Sequence, residues 1–196
     1  TARLPVILHR LHPAGLRVAS ARTSLTPRAW IDSIQQALGP TASRSTRQQA
    51  ATRALRLAEK QGWQDHRRGF SHYVLGRVLQ AKSPVRAAAE FRLADRHFSR
   101  SGTNGPHRAI VATQLAAYAI LTDDADAALA LIEPQISAAR KFENATLLAS
   151  LLMLQAEALD QKGKTPQAQA ARLDSLGWAR YGFGADWAVR AKLREI

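Results

Sequence analysis

The feature that most constrains this chain is a repeat of 40 residues. Gly76, Ala116 and Ala156 stand 40 apart, and each is followed 12 residues later by alanine, at Ala88, Ala128 and Ala168. Leu79, Ala119 and Leu159 share the column three residues on, and Leu75 and Leu115 share the column before. Arg100, Arg140 and Arg180 close the second half of each copy in register. A fixed period of roughly 20 to 50 residues signals an array of stacked supersecondary units. Small residues in fixed columns identify those units as helix pairs, because two helix axes approach to about 8 Å only where no bulk intervenes. Arrays of this kind generally act by presenting a surface to a partner.

Composition agrees with helices. Of 196 residues, 46% are hydrophobic but only 6% aromatic, and alanine and leucine carry the apolar content. That balance suits close-packed helices better than a β-sandwich. No apolar run reaches the ~20 residues needed to cross a bilayer, so a soluble chain is expected. The absence of cysteine excludes disulfides, zinc–thiolate sites and iron–sulfur clusters, and fits cytoplasm or periplasm alike. Arginine preferred over lysine, with abundant alanine, suggests a bacterial source. The first residue is Thr1, as expected of a processed chain or of a piece of a longer one.

Net charge is +13, distributed unevenly: +8 over residues 1–60, +6 over 61–110 and −1 over 111–196. One end of the array is strongly basic and the other neutral. An acidic partner, an anionic surface or nucleic acid could meet the basic end. The same charge equally fits a solvated arginine-rich face.

Along the chain, residues 1–25 carry an internal proline and a His12-Pro13-Ala14-Gly15 turn signal, and read as an irregular leader or the end of an upstream region. The helical repeat domain is expected over 26–196. Thr26-Pro27 starts a helix carrying Trp30, Ile31, Ile34 and Leu38, and Gly39-Pro40 ends it. A second helix, Ser45 to Gln61, places Ala50, Ala54, Leu57 and Ala58 on one face and stops at Gly62. Three regular pairs follow, at about 64–101, 106–141 and 144–182. Asp65 is expected to cap the first of these helices, and Ser83-Pro84 to restart the chain into a helix with Ala87, Ala88, Phe91, Ala94 and Phe98 inside. Pro134 is expected to kink its helix. A last helix, 185–196, looks like half of a further pair whose partner would lie beyond Ile196.

The segment Leu151-Leu-Met-Leu-Gln-Ala-Glu-Ala-Leu-Asp-Gln-Lys-Gly-Lys-Thr-Pro-Gln-Ala168 resembles a tetratricopeptide repeat, with Ala156, Gly163 and Ala168 at that family's small-residue, turn and second-helix positions. Leu75-Gly76, Leu79, Ala87, Phe91 and Ala94 match it too, after a one-residue deletion in the loop. The likeness covers roughly 64–182 well and 26–62 weakly, with a period of 40 rather than the family's usual 34 or so. It implies an all-α fold, an α-α superhelix of antiparallel helix pairs whose first helices line a concave groove for a partner peptide or helix. By position the groove would present Tyr73, Arg77 and Gln80, then Thr113, Ala117 and Ile120, then Met153, Glu157 and Asp160, grading from basic through apolar to acidic. The lysines and asparagine that clamp a terminal carboxylate in the family's chaperone-binding members are missing here, so such tails are not expected as ligands.

Motifs of enzymatic chemistry are missing from the sequence. There is no Gly-rich phosphate loop, nucleophile elbow or His-Glu-x-x-His pair. His9 and His12 lack neighbouring carboxylates, His66 and His72 fall on different helix faces, and Asp123, Asp124 and Asp126 suit helix capping better than a calcium loop. Glu157 and Asp160 alone make weak acid–base machinery. The expectation is a non-enzymatic interaction module or scaffold with no cofactor and no metal. Its partner would be another protein, acidic in one version. Arg53, Arg56 and Lys60, with Arg92, Arg96 and Arg100, form two basic stripes that could meet phosphate, though without the exposed aromatics that stack bases. Binding of nucleic acid or an anionic surface through the N-terminal half is therefore the alternative. A third possibility is a structural subunit of a larger assembly.

Overall fold

Alanine and leucine at helical spacing, punctuated by glycine and proline, give eight helices and no strand among the described residues of the computed structural model. These are residues 28–62, 65–102 and 106–183. The expected leader, the Thr26-Pro27 start and the helix at 185–196 lie outside them. The helices are α1 (Arg28–Leu38), α2 (Arg44–Lys60), α3 (Asp65–Leu79), α4 (Pro84–Arg100), α5 (Pro106–Leu121), α6 (Ala125–Lys141), α7 (Ala145–Gln161) and α8 (Thr165–Phe183). Among the described helices, α1 and α2, α2 and α3, α3 and α4, α6 and α7, and α7 and α8 pack as neighbours across short turns, so the fold is an all-α helical repeat. None of the described helices is long and apolar enough to cross a membrane.

The period is written in the backbone as well as the core. Among the described residues, all those of positive φ follow a helix: Gly62, Gly102 and Glu143 between pairs, at 61°, 68° and 50°, and Asp123 and Gly163 within pairs, at 60° and 70°. A left-handed residue lets the last carbonyls of a helix find donors, which is why glycine is favoured there. The six marker residues of the repeat are all buried. In the second helices, however, Ala87 rather than Ala88 matches Ala128 and Ala168. Each of these three donates its N–H to the residue four before it, Ser83, Asp124 or Lys164, at the helix start.

Two compact units divide the chain within α5, between Val111 and Ala112. In the first, α2 packs on α1 and α3 with a face of Ala50, Ala51, Ala54 and Ala58. Trp30 Nε1 donates to Ser71 Oγ at 2.9 Å, tying α1 to α3. Arg47 Nε donates to the Ala37 carbonyl at 3.1 Å and satisfies an orphan acceptor at the end of α1. Helix α3 is buried almost all round, with two glycine notches seven residues apart. Phe98 of α4 fills the notch at Gly69 and Phe91 fills that at Gly76. Asp65 is the first residue of α3, and its carboxylate accepts from His97 of α4, so its described role is an inter-helix bond and not the expected cap.

In the second unit α7 packs on both α6 and α8. Helix α6 is capped by Asp124, whose carboxylate accepts from Ala127 N at 3.1 Å, and α7 by Asn144, which accepts from Leu147 N at 3.3 Å. Helix α6 continues unbroken past Pro134. Pro134 and Ala130 are both exposed, so water can take the carbonyl that the missing N–H abandons. A face of Ala168, Ala171, Ser175 and Ala179 lets α8 lie close on α7, and Ser175 Oγ donates to the Ala149 carbonyl at 2.7 Å. Gln161 Nε2 donates to the Ile120 carbonyl at 2.8 Å, joining the C-termini of α7 and α5.

Candidate interaction surfaces

Helix α3 supplies Tyr73 and Arg77, and Gln80 follows directly after its last residue. Tyr73 is only 4% exposed, packed between the rings of Phe70 and Phe91 at 5.9 and 6.1 Å. It therefore lines no open groove, correcting the expectation. Its hydroxyl accepts from Arg77 Nη1 at 2.9 Å, while the guanidinium lies 5.9 Å from its ring centroid. Arg77 is half-buried and held in one place from below, and Gln80 is also partly exposed.

The α5 residues behave differently. Thr113, Ala117 and Ile120 are all buried and cannot be surface contacts as expected. The physical reason is that Val111 through Ala117 is continuously buried, and a helix that is apolar all round goes inside. Gln114 is the anomaly in this stretch: it is 1% exposed, and neither its amide oxygen nor its nitrogen has a hydrogen-bond partner.

On α7, Met153, Glu157 and Asp160 are partly exposed as a groove face requires. The two acids are not free, however. Arg172 of α8 bonds Asp160 through Nη2 and lies 3.6 Å from Glu157 Oε1. One arginine thus answers one of their two negative charges within the helix pair, so the acidic end of the expected gradient is muted. Arg172 carried no repeat signal in the sequence; only its place facing α7 reveals it.

All six residues of the basic stripes are exposed, Arg53, Arg56 and Lys60 on α2 and Arg92, Arg96 and Arg100 on α4. Counting from the helix starts at Ser83, Asp124 and Lys164, the α4 stripe matches Glu133, Ser137 and Lys141 on α6 and Leu173, Gly177 and Tyr181 on α8. One outward stripe is thus basic, mixed and apolar in successive repeats.

Four of the six histidines gather on α3, α4 and the first turn of α5. His72 Nδ1 bonds Glu90 Oε2 at 2.7 Å, His97 Nδ1 bonds Asp65 Oδ1 at 2.8 Å, and the two rings stack at 5.4 Å. Since a carboxylate can only accept, the proton of each ring sits on Nδ1. The bond from His97 holds the Asp65 carboxyl below the usual carboxylate range. His66 and His107 meet edge-on at 4.9 Å beside Phe98. Burial pulls both below the ordinary histidine range, helped for His107 by His66 and for His66 by Arg67. This cluster clamps α3 to α4 and α5, and only its His66 and His72 drew attention in the sequence. No group of three or more metal-ligating side chains occurs among the described residues, and His9 and His12 lie outside them.

Comparisons with protein-family models, curated proteins and solved structures return no match.

Proposed function

We propose that this chain is a non-enzymatic interaction module of tetratricopeptide type, which holds a segment of another protein against its first helices. The observation that supports this most is the Arg77–Tyr73 arrangement on α3. A partly exposed guanidinium fixed by a buried hydroxyl has already lost much of its rotamer entropy, so a partner carboxylate or carbonyl meets a preorganised donor. Gln80 extends that face, and Met153, with Glu157 and Asp160 braced by Arg172, offers a second contact face on α7. Replacing Arg77 by alanine tests the reading: proteins retained by the native chain should be lost, while far-UV circular dichroism stays unchanged. Equal retention by Arg77→Ala removes the assignment.

A second reading, binding of nucleic acid or another anionic surface, is favoured by the exposure of all six residues of the basic stripes. If each side chain neutralised one phosphate, log affinity would fall against log salt with a slope of about −5 on duplex DNA. Binding isotherms at two salt concentrations decide it, and a salt-independent or absent signal rules it out.

A further inference from the structure

The outer face of α8 is unlike the matching faces of α4 and α6. Leu173 and Tyr181 are 69% and 76% exposed, and Phe142, next to Glu143 at the end of α6, is 75% exposed. These are three of the six large hydrophobic side chains exposed among the described residues. Glu143, Leu173, Asp174, Gly177, Trp178 and Tyr181 enclose a shallow pocket of about 560 Å³. Gly177 is one of its lining residues. Gly69, Gly76 and Gly182 also lie inside helices, and a Cβ on any of them would strike Phe98, Phe91 or Thr146. A Cβ on Gly177 would meet no atom within 4 Å. A glycine within a helix costs about 1 kcal/mol relative to alanine, and close approach of another backbone is one use of the missing side chain.

In the other described repeats the matching face points outward. The equivalent stripes, Arg92, Arg96 and Arg100 on α4 and Glu133, Ser137 and Lys141 on α6, are exposed although further helices follow each in the chain. The α8 stripe is, moreover, complementary to itself. If two copies of α8 cross antiparallel with Gly177 at the crossing, Leu173 of each lies opposite Tyr181 of the other. The same operation places Asp174 opposite Arg180 of the second copy. Apolar meets apolar and acid meets base about one two-fold axis, as an isologous interface requires. Asp174 already bonds Arg140 through Oδ2, which leaves Oδ1 to receive the second arginine.

We propose that the outer face of α8 is a homodimer interface: a second copy of this chain packs antiparallel across Gly177. This inference stands apart from the partner-binding reading, because it uses a different helix face and a different readout. The chain has no cysteine, so Gly177→Cys introduces a single thiol at the axis. Mild oxidation should yield a covalent dimer, whereas Ser137→Cys, at the matching place on α6, should not. By sedimentation equilibrium the native chain should dimerise, and Leu173→Glu should be monomeric with unchanged helical content. Arg180→Asp should weaken the dimer by about tenfold or more through like-charge contact with Asp174. Combining it with Asp174→Arg should recover part of the association, less than all because that arginine then faces Arg140. A native chain that remains monomeric throughout the micromolar range overturns the proposal, as does a dimer insensitive to these changes. A monomer whose α8 face is instead covered by a different protein or by chain beyond Phe183 overturns it as well.

Discussion

Gly76→Ala and Gly177→Ala are the same chemical change in two helix interiors and should have opposite signs. At Gly76 the new Cβ would stand 2.6, 2.8 and 3.1 Å from ring carbons of Phe91. Normal carbon–carbon contact is about 3.5–4.0 Å, so α3 and the ring must separate by about 1 Å. Phe91 is fully enclosed with Tyr73 against it, so its ring has nowhere to turn. Overpacking of this severity belongs at the upper end of its usual range, about 3 kcal/mol. The gain in helix propensity returns about 1 kcal/mol, leaving a net loss of about 2 kcal/mol. With a urea m-value of about 2 kcal/mol/M, the midpoint should fall by about 1 M. Phe91→Leu in the same chain should recover part of it. Gly177→Ala meets nothing and should raise stability by about 1 kcal/mol, measured at protein concentrations too low for association. Urea titration followed by circular dichroism reads both. A Gly76→Ala chain as stable as the parent would refute the notch-and-ring packing of α3 on α4.

Three further outcomes follow from particular contacts. Because His66 and His107 are held below the 6.5 of a free histidine, the unfolded chain binds more protons as pH falls past that value. Their contribution is therefore intact above pH 6.5 and is lost as pH falls through it; replacing both by leucine should flatten the urea midpoint over that interval, and an unaltered slope would contradict the burial argument. Gln114→Met should stabilise by about 1–3 kcal/mol, since it removes a buried amide whose two polar atoms are unpaired; a loss of stability would mean that the amide has a role packing does not reveal. Arg172→Ala releases Glu157 and Asp160 and should cost about 1 kcal/mol at low salt, with the difference shrinking as salt is added. Equal costs at both salt concentrations would assign the effect to packing of the arginine stem alone.

The fold was legible because its signals are local and repeated. Glycine and proline mark the turns, and the α4 core of Ala87, Ala88, Phe91, Ala94 and Phe98 reads directly from helical spacing. Positions that depend on what lies opposite were less legible. Gly69 announces nothing until Phe98 is seen in its notch, and the left-handed turns at Asp123 and Glu143 lack the glycine that would have marked them. The surface reading fared unevenly for the same reason. Arg77 and Met153 sit on partly exposed faces, but Thr113, Ala117 and Ile120 were placed by register alone, against the apolar character of α5. Arg172 and the His72–Glu90 and His97–Asp65 pairs join residues distant in sequence, and no pattern within a single helix encodes them.

The central claim is that a partner is held on the first-helix faces. Amide hydrogen exchange of the chain, alone and in complex with the protein that co-purifies with it, tests this directly. Binding should slow exchange in peptides covering Tyr73–Gln80 and Met153–Asp160. Protection confined to the second helices, around Arg53–Lys60 and Arg92–Arg100, with the first-helix peptides unchanged, would contradict it.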